Sequence, residues 1–562
     1  MGRQMFIGKG FVAILLVIFL WWCVQDASSE GTSTSRASDS GLDLSIKKRL
    51  TEGKTPSRTV VGGEQIYSTV LVESFYKRRN YQPAWSENGR LQQVDTLLKA
   101  IGEAYGDGLT PDYYHYGPIR SLVASIEKAS SPDPPRLADL DILLTDAFLT
   151  LGCHLSGGCV NPVTLETEWF AKRRDVDVAS VLEQALKKRQ LKEALERFRP
   201  EEGSYLGLRQ ALAHYRELSS KGEWSLVPGG PLLKKTSRSE RVAALRRRLA
   251  SSGDLERNDR GGDFFDETLR KSVISFQKRH GLKADGIVGV ETLDALNVPL
   301  KQRIRQMELN MERLRWILSN REQRSVVVNI ANFRLDVIEN GQSILSMKAV
   351  VGKPYWDTPV FTAKMTHVII NPCWNVPESI ARKEILKKAR KNPHYLSEQN
   401  IKVLKGWGPR EEERDPETID WSKITPSKLS YRFRQEPGPL NPLGRLKFMF
   451  PNAFDVYLHD TPAKGLFLEN VRTFSHGCIR IERPIELAEY LLRDDPWWTK
   501  VRLLAAIENG AEQKVSIPHP LNVHFHYLTA WVDEAGTLQF RNDIYGRDVR
   551  LDEALRKKAS LP

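Results

Sequence analysis

The sequence predicts a multidomain α+β protein. Its 562 residues are too many for one hydrophobic core, so several domains are expected. Apolar residues recur at helical spacing between residues 61 and 324, and from residue 325 onwards they alternate with polar residues, as in half-buried strands. We therefore expect a mostly helical N-terminal region, a compact three-helix unit, and a mainly-β region that carries a long insertion.

The charge of the chain does not point to one partner. The formal net charge is +13, which suits nucleic acid, a membrane surface or an acidic polymer. The basic residues are spread along the chain, with only short runs such as residues 246–248 and no basic tail. A solvated basic surface explains the charge equally well, and no nucleic-acid partner is predicted.

The N-terminus predicts export. Arg3 and Lys9 precede an uncharged apolar run over residues 10–24, the pattern of a signal peptide or of an uncleaved membrane anchor. The run is short for a membrane span, whereas two tryptophans near its outer end favour an anchor, so residues 1–25 are assigned to either. Residues 26–60 are rich in Ser, Thr, Gly and Lys and are predicted to form a flexible stalk.

Helical patterns dominate the next part of the chain. Residues 61–236 are predicted to form a helical scaffold, in which stretches 137–155 and 180–198 each place apolar residues on one helical face. Nothing in this region points to catalytic chemistry. Residues 237–300 follow as a compact unit of three helices, and residues 301–324 continue as a linker helix.

From residue 325 to residue 510 the pattern is that of a β domain. Asn340-Gly341 lies between two alternating runs, which predicts a β-hairpin. Residues 372–448 lose the strand pattern and are predicted to be an insertion, and insertions of this length often act as lids. Residues 511–562 are predicted to form a final hairpin and a tail that pack on the β domain or on the scaffold.

Export changes the interpretation of the five cysteines. Cys153 and Cys159 lie close together in the sequence and are candidates for a disulfide, with zinc binding alongside His154 as the alternative. Cys373 and Cys478 have no evident partner. A lone thiol in an exported protein is a candidate for reactivity.

The stretch SHGCIRI, residues 475–481, leaves three interpretations of Cys478 open. His459, His476 and Asp460 could complete a metal site with it, although this set does not match the common zinc sites. Cys478 could also be a small buried side chain, as most lone cysteines are. As a nucleophile it needs a base within reach, and His459 ends a predicted strand with 18 residues between the two.

Two stretches resemble known families. FQKRHGLKADGIVGVETLDAL, residues 276–296, resembles the three-helix peptidoglycan-binding module of cell-wall enzymes. HDTPAKGLFLENVRTFSHGC, residues 459–478, resembles the signature of the L,D-transpeptidase catalytic domain with the YkuD-type fold, in which a histidine precedes Ser/Thr-His-Gly-Cys. The family pattern is often written with Asn two positions after the cysteine, where this chain has Arg480, as many members do. The resemblance covers nearly the whole chain beyond residue 60 and extends to the large, membrane-anchored members of Gram-negative bacteria.

The resemblance implies a role for each site residue. Cys478 would be the nucleophile and His459 its base, and the N–H groups of Gly477 and Cys478 would hold the oxyanion. Ser475 and His476 would support the loop and the base. Because adjacent residues on a strand point to opposite faces, a backbone carbonyl is a better candidate than a neighbouring carboxylate to orient the imidazole. Contacts with substrate are expected from Tyr457, Arg480, Trp374 and Asp460.

The resemblance also implies an activity. A thioester on the cysteine, formed with release of D-Ala, would be attacked by the diaminopimelate amine of a second stem peptide to give a 3→3 cross-link. Water or a lipoprotein lysine as acceptor, and a non-catalytic wall-binding protein, stay as alternatives. No cofactor or metal is implied. The implied partners are peptidoglycan stem peptides, glycan strands bound by residues 237–300 and the inner membrane, the implied location is the periplasm, and carbapenems would acylate the cysteine.

Overall fold

The computed structural model describes residues 41–52, 54–55, 58–87, 90–129, 133–165, 176–256, 258–259, 261–317 and 322–560. The predicted export segment, residues 1–25, and the first part of the predicted stalk lie outside these ranges. Within them, no helix combines the length and the apolar character that a membrane span requires.

The first described element is a helix, α1 (Leu42–Glu52), inside the predicted stalk. Its buried residues Leu42, Ile46 and Leu50 are spaced four apart and therefore line one face. That face packs against a long helix, residues 134–157, and Arg49 Nε donates to Asp139 Oδ1 at 2.7 Å. The prediction of a flexible stalk is therefore wrong for residues 42–52, because three apolar residues are enough to dock a short helix.

The scaffold is built around one buried helix. Its elements are α1, β1 (Lys54–Thr55), β2 (Arg58–Val61), β3 (Glu64–Gln65), α2 (Thr69–Arg78), β4 (Ser86–Glu87), β5 (Arg90–Leu91), α3 (Val94–Glu103), α4 (Tyr116–Glu127), α5 (Pro134–Gly157), α6 (Pro162–Leu165), α7 (Val178–Lys188), α8 (Leu191–Glu196) and α9 (Gly203–Ser220). Helix α5 is buried along most of its length, and the predicted helix 137–155 lies within it. The predicted helix 180–198 is instead two helices, α7 and α8, because Arg189 between them adopts a left-handed conformation with φ of 53°.

The predicted three-helix module follows the scaffold and consists of α10 (Glu240–Ser251), α11 (Glu267–Arg279) and α12 (Val290–Leu296). Gln277 of α11 fixes its turn: the side-chain amide donates to the Ile287 carbonyl at 2.9 Å, and Oε1 accepts the Gly286 N–H at 2.9 Å. The linker helix α13 (Leu300–Trp316) then returns the chain against α9.

The β domain contains the elements from residue 324 onwards. They are β6 (Arg324–Asn329), β7 (Arg334–Glu339), β8 (Gln342–Gly352), β9 (Thr362–Ile370), β10 (Trp374–Asn375), α14 (Glu378–Ile380), α15 (Leu386–Lys391), α16 (Tyr395–Glu398), β11 (Ile401–Lys405), β12 (Glu412–Arg414), β13 (Arg432–Gln435), β14 (Leu446–Met449), β15 (Leu458–His459), β16 (Thr473–Ser475), β17 (Ile479–Ile481), α17 (Pro484–Leu492), α18 (Lys500–Asn509), β18 (Gln513–His526), β19 (Ala530–Val532), β20 (Leu538–Phe540) and α19 (Arg547–Ser560).

Nine of these strands form one sheet in the order β16-β8-β17-β15-β14-β9-β18-β6-β7. Because β7 also pairs with β8, the sheet closes on itself as a barrel. The turn between β7 and β8 is the predicted Asn340-Gly341 hairpin, with both residues at positive φ. Strand β8 pairs with both β16 and β17, so it holds both ends of the segment 476–478.

The insertion has a sheet and a core of its own. Strands β10, β13, β11 and β12 form a four-stranded antiparallel sheet in that order, and Leu386, Val403 and Phe433 belong to the core beneath it. The sequence pattern did not reveal these strands because they are short and charged. Strand β14 lies within the predicted insertion 372–448 but belongs to the large sheet, so the insertion ends before it.

Strand β18 corrects the prediction for residues 511–562. It runs over 14 residues between β9 and β6 of the large sheet, so this part of the chain is built into the β domain rather than packed on it. The predicted hairpin is formed by β19 and β20 alone. It contacts both neighbours, since Val532 packs against Gly207 of α9 and the ring of Phe540 stacks 5.5 Å from that of His280 in the module.

Candidate active site

Three adjacent strands place a set of polar side chains on one face of the barrel. Lys447 of β14 pairs with His459 of β15, and His459 pairs with Arg480 of β17. Because cross-strand partners share a face, these three side chains lie on the same side of the sheet. Tyr457 and Cys478 each precede a paired residue by two positions and therefore point the same way. The intervening Leu458 and Ile479 are fully buried on the core side.

His459 is held as a neutral base. Its Nδ1 lies 2.5 Å from the backbone carbonyl of Asp460, so Nδ1 carries the proton and Nε2 is left as the acceptor. This contact confirms the expectation that a backbone carbonyl orients the ring. Burial lowers the pKa of His459 to about 3, and the charges of Arg480 and Lys447 act in the same direction. The imidazole is therefore unprotonated at neutral pH.

Asp460 takes a different position from the predicted one. It is buried, one carboxylate oxygen accepts the Arg445 N–H at 2.9 Å, and the other binds Lys464 Nζ at 2.5 Å. With both oxygens engaged, this carboxylate ties the ends of β14 and β15 together. The structure thus favours this role over the predicted contact with substrate.

Cys478 sits in a partly buried, cationic environment. Its Sγ lies 3.7 Å from the Asp455 carbonyl. Burial raises the pKa of the Cys478 thiol, while hydrogen bonds from the Tyr457 backbone and side chain and the charge of Lys447 act in the opposite direction. On adjacent strands, diagonal positions such as those of Cys478 and His459 lie roughly 7–8 Å apart, within reach of two converging side chains.

The loop before Cys478 changes the expected oxyanion site. Gly477 has φ of 113°, a conformation that glycine tolerates best. Its N–H donates to the buried Ser475 hydroxyl at 3.1 Å and its carbonyl accepts from Thr358 at 2.9 Å. The Gly477 N–H is therefore engaged, contrary to the prediction that it holds the oxyanion. The Cys478 N–H has no acceptor within the described part of the chain, so it is the donor that faces the site.

His476 connects the loop to the insertion rather than to His459. Its Nε2 lies 2.6 Å from Glu384 Oε1, and Glu384 belongs to a π-helical turn at Ala381–Ile385. The indole of Trp356, which lies in the connection between β8 and β9, has its centre 4.5 Å from that of the His476 ring. Neither Trp356 nor Glu384 was among the predicted site residues, because no pattern in the sequence joins either one to residue 476.

The remaining predicted residues fall into two groups. The Tyr457 ring lies 5.7 Å from that of His459. Arg480 forms no ion pair or hydrogen bond with any described side chain, and its Nε is buried. Both therefore border the thiol as predicted. Trp374 instead lies in β10, paired with Gln435, and no hydrogen bond or ring contact among the described residues joins it to the site.

The other cysteines lie elsewhere. Burial together with Glu512 and Glu436 raises the pKa of Cys373 to about 12, and its Sγ is 3.8 Å from Glu436 Oε2. Cys153 and Cys159 line one cavity of about 340 Å³ beside α13, and their disulfide stays a prediction. In the described ranges, no group of three or more His, Cys, Asp or Glu is arranged to hold a metal ion.

Three family models match this chain. Residues 70–212 match the scaffold domain, residues 238–296 match the "Putative peptidoglycan binding domain", and residues 323–502 match the L,D-transpeptidase catalytic domain, also called YkuD. All the site residues described above fall within the last range.

Relatives and solved structures were also found. The chain is 34% identical over 249 residues to a "Putative L,D-transpeptidase" of Haemophilus influenzae, a match that covers 44% of this chain and 49% of that protein, about half its length. An L,D-transpeptidase structure from Xylanimonas cellulosilytica aligns with 14% identity and a TM-score of 0.18, over 53% of this chain and 99% of that one. One from Stackebrandtia nassauensis aligns with 15% identity and a TM-score of 0.20, over 54% and 96%. At these scores the structural alignments add nothing to the fold described above.

The family models agree with the geometry of the site. The Cys478 thiol, the neutral His459 and the SHGC loop all lie in the matched catalytic range. The chain therefore carries a scaffold domain, a peptidoglycan-binding domain and an L,D-transpeptidase catalytic domain, and the last of these makes it an enzyme.

Proposed function

We propose that this chain is a peptidoglycan L,D-transpeptidase that forms 3→3 cross-links between the diaminopimelate residues of two stem peptides. The observation that carries the proposal is the shared face of Cys478 and His459, whose neutral imidazole directs its Nδ1 proton at the Asp460 carbonyl and so leaves Nε2 as the basic nitrogen. A nucleophilic thiol needs this kind of base, and the family of the domain supplies the reaction type.

The first half-reaction forms a thioester. Cys478 Sγ attacks the carbonyl between the L-centre of diaminopimelate and the terminal D-Ala, and the thiol proton passes to His459 Nε2. The tetrahedral oxyanion accepts a hydrogen bond from the Cys478 N–H. Collapse of this intermediate breaks the peptide bond, and the D-Ala amine leaves with the proton returned from His459.

The second half-reaction forms the cross-link. The side-chain amine of diaminopimelate on a second stem attacks the thioester carbonyl and gives a proton to His459. When the carbon–sulfur bond breaks, that proton returns to sulfur and the Cys478 thiol is restored. No cofactor enters either half-reaction.

Arg480 is the residue best placed to bind the substrate. Stem peptides carry several carboxylates, and Arg480 is a cation beside the thiol that has no carboxylate partner among the described residues. A guanidinium binds carboxylates in a fork of two hydrogen bonds, which would fix the donor stem over Cys478.

The insertion is proposed to act as a lid over the bound stem. Its contact with the catalytic loop is the hydrogen bond between Glu384 and His476, two residues before Cys478. A lid at this position would limit the access of water to the thioester, and the balance between amine and water as acceptor would follow from it.

The proposed function also implies a cellular location and binding partners for the chain. The chain would work in the periplasm, held at the inner membrane by its N-terminal segment, with residues 237–300 on glycan strands. L,D-carboxypeptidase activity, attachment of a lipoprotein lysine and a purely wall-binding role are the alternatives.

Mass spectrometry of the products tests the proposal. The full chain, in mild detergent, is incubated with a disaccharide-tetrapeptide beside Cys478→Ala and, as a matched control, Cys373→Ala. A cross-linked dimer that lacks one D-Ala, formed by the wild type and by Cys373→Ala but not by Cys478→Ala, is expected. A tripeptide monomer alone would show a carboxypeptidase, and no product would leave the wall-binding role.

A further inference from the structure

We propose that Lys447 makes Cys478 reactive: its ammonium group stabilises, through space, the negative charge on the Cys478 sulfur when the thiol proton passes to His459. The proposal rests on the proposed function in one respect, namely that Cys478 is the nucleophile. Lys447 acts through Cys478 and is therefore a positioning residue, one that was absent from the residues predicted from the sequence.

The register of the strands places Lys447 on the face of the thiol. It pairs with His459 across β14 and β15, and its Nζ lies 3.9 Å from the centre of the Tyr457 ring. Tyr457 in turn lies two positions before His459 on the same face as Cys478, and its hydrogen-bonding groups lower the pKa of the Cys478 thiol. The ammonium, the phenol ring and the thiol thus follow one another along a single face.

Lys447 has no structural counterion. Its neighbours in β14, Leu446 and Phe448, point into the core and are fully buried, whereas its own side chain is partly buried on the opposite face. No carboxylate within the described ranges forms an ion pair with it, although partly buried cations elsewhere do, as in the pair of Arg305 and Asp552. Burial lowers the pKa of Lys447, while the nearby Cys478 thiolate raises it. An unpaired amine in this position costs stability, which a packing role alone does not explain.

The neutral state of His459 explains why the thiolate needs another cation. Burial, Arg480 and Lys447 together lower the pKa of His459 to about 3, so an imidazolium beside the thiolate is disfavoured at neutral pH. The charge of Lys447 lowers the pKa of the thiol instead. His459 is then neutral before the reaction, accepts the thiol proton as the sulfur attacks, and returns it to the departing D-Ala amine.

Other groups face this pair and set the background against which Lys447 acts. Around the thiol and the ammonium these are Asp455, Tyr457, His459, Arg480, Glu512 and His367, with His476 and Glu384 on the adjoining loop and insertion. Arg480 adds a second positive charge near the sulfur, and Asp455 opposes both. The contribution of Lys447 is therefore measured as a difference between variants.

The pH dependence of alkylation measures that difference. The full chain is treated with iodoacetamide between pH 5 and pH 10, and modification of Cys478 is followed by peptide mass spectrometry in the wild type, Lys447→Met, Lys447→Arg and Lys514→Met. Lys514 is the matched control, because it lies in the same row of the sheet, two strands beyond Lys447, and is exposed. An opposite charge nearby moves a pKa by roughly 1–3 units, so Lys447→Met should react at least about tenfold more slowly at pH 7. Lys447→Arg and Lys514→Met should follow the wild-type profile.

The outcomes separate this proposal from a packing role and from the proposed function. A folded Lys447→Met variant that alkylates with the wild-type profile would reduce Lys447 to a packing partner of Tyr457. If that variant does not fold, the wild type still decides: after reductive ¹³C-methylation of lysines, the resonance absent from Lys447→Arg should titrate at lower pH once Cys478 is alkylated, and an unchanged titration overturns the proposal. Alkylation needs no stem peptide, so a wild type that shows the shift but makes no product contradicts the proposed function alone.

Discussion

Two cysteines in the β domain sit in opposite electrostatic surroundings. Cys373, where the insertion begins, lies beside Glu512 and Glu436, and its thiol has a pKa of about 12. Cys478, immediately before β17, lies beside Lys447 and Arg480, whose positive charges favour its thiolate. Burial raises the pKa of both thiols, and the neighbouring positive charge opposes that effect at Cys478 whereas the carboxylates add to it at Cys373. Reactivity in this domain is therefore set by neighbours that strand pairing brings together.

The direct comparison of the two thiols should give the largest effect. At pH 8 we expect iodoacetamide to modify Cys478 roughly 100-fold faster than Cys373, because Tyr457 and Lys447 partly offset the effect of burial on the pKa of Cys478, whereas Glu512 and Glu436 add to it and raise the pKa of Cys373 to about 12. Peptide mass spectrometry of the wild type reports both rates from one sample. Equal alkylation rates for the two cysteines would contradict the proposed difference between their electrostatic surroundings.

Replacing Arg480, which has no carboxylate partner among the described residues, separates substrate binding from thiol chemistry. Arg480→Met should lower kcat/KM for a tetrapeptide about 30–150-fold, the effect of losing one charged hydrogen-bonded contact of about 2–3 kcal/mol. Alkylation of Cys478 by neutral iodoacetamide should change only a few-fold. Arg445→Met serves as the control, since that exposed side chain lies nearby at the start of β14. An unchanged kcat/KM in Arg480→Met would rule out a bound substrate carboxylate at this position.

The neutral state of His459 should appear as acid sensitivity. Its pKa is about 3 in the folded protein and near 6.5 when unfolded, so the unfolded state takes up the proton first as the pH falls. The stability that depends on the neutral ring is present above pH 6.5 and is lost between pH 6.5 and pH 3. At pH 5 the wild type should have lost about 2 kcal/mol more of its free energy of unfolding, relative to pH 7, than His459→Gln. Urea titrations at both pH values measure this, and equal losses would contradict it.

The smallest effect should come from weakening the acidic surroundings of Cys373. Glu512→Gln removes one of the two carboxylates that raise its pKa, and alkylation of Cys373 at pH 8 should become roughly tenfold faster. Glu508→Gln, an exposed neighbour in α18, should leave the rate unchanged. If the rates of both variants match the wild type, Glu512 does not contribute, and burial and Glu436 control this thiol.

Local patterns in the sequence predicted the parts of the fold that depend on local structure. The Asn340-Gly341 turn and the three-helix module were found because turn chemistry and helical spacing are properties of short segments. Helix α1 was missed because Leu42, Ile46 and Leu50 acquire a role only when another helix covers them. The sheet of the insertion was missed because short charged strands carry no alternating pattern.

In the candidate site, too, the residues in a local motif were predicted and those placed by long-range strand pairing were not. Cys478 and His459 were found from the spacing of one motif. Lys447 was not, because its place beside them depends on the pairing of β14 with β15 across a loop, which the sequence does not state. The expected role of the Gly477 N–H failed for a similar reason: the backbone conformation of the loop aims that N–H at the Ser475 hydroxyl, which the sequence does not state.

The pairing of β8 has a consequence for the dynamics of the catalytic loop. Both strands that flank residues 476–478 are hydrogen bonded to this one strand, which is itself part of the closed barrel. A segment fixed at both ends cannot open alone, so exposing it requires the surrounding strands to separate. Amide hydrogen exchange should therefore be slow at β17, which pairs with both β15 and β8, and faster at β16, which pairs with β8 alone, and the nucleophile should keep its geometry for as long as β17 stays paired.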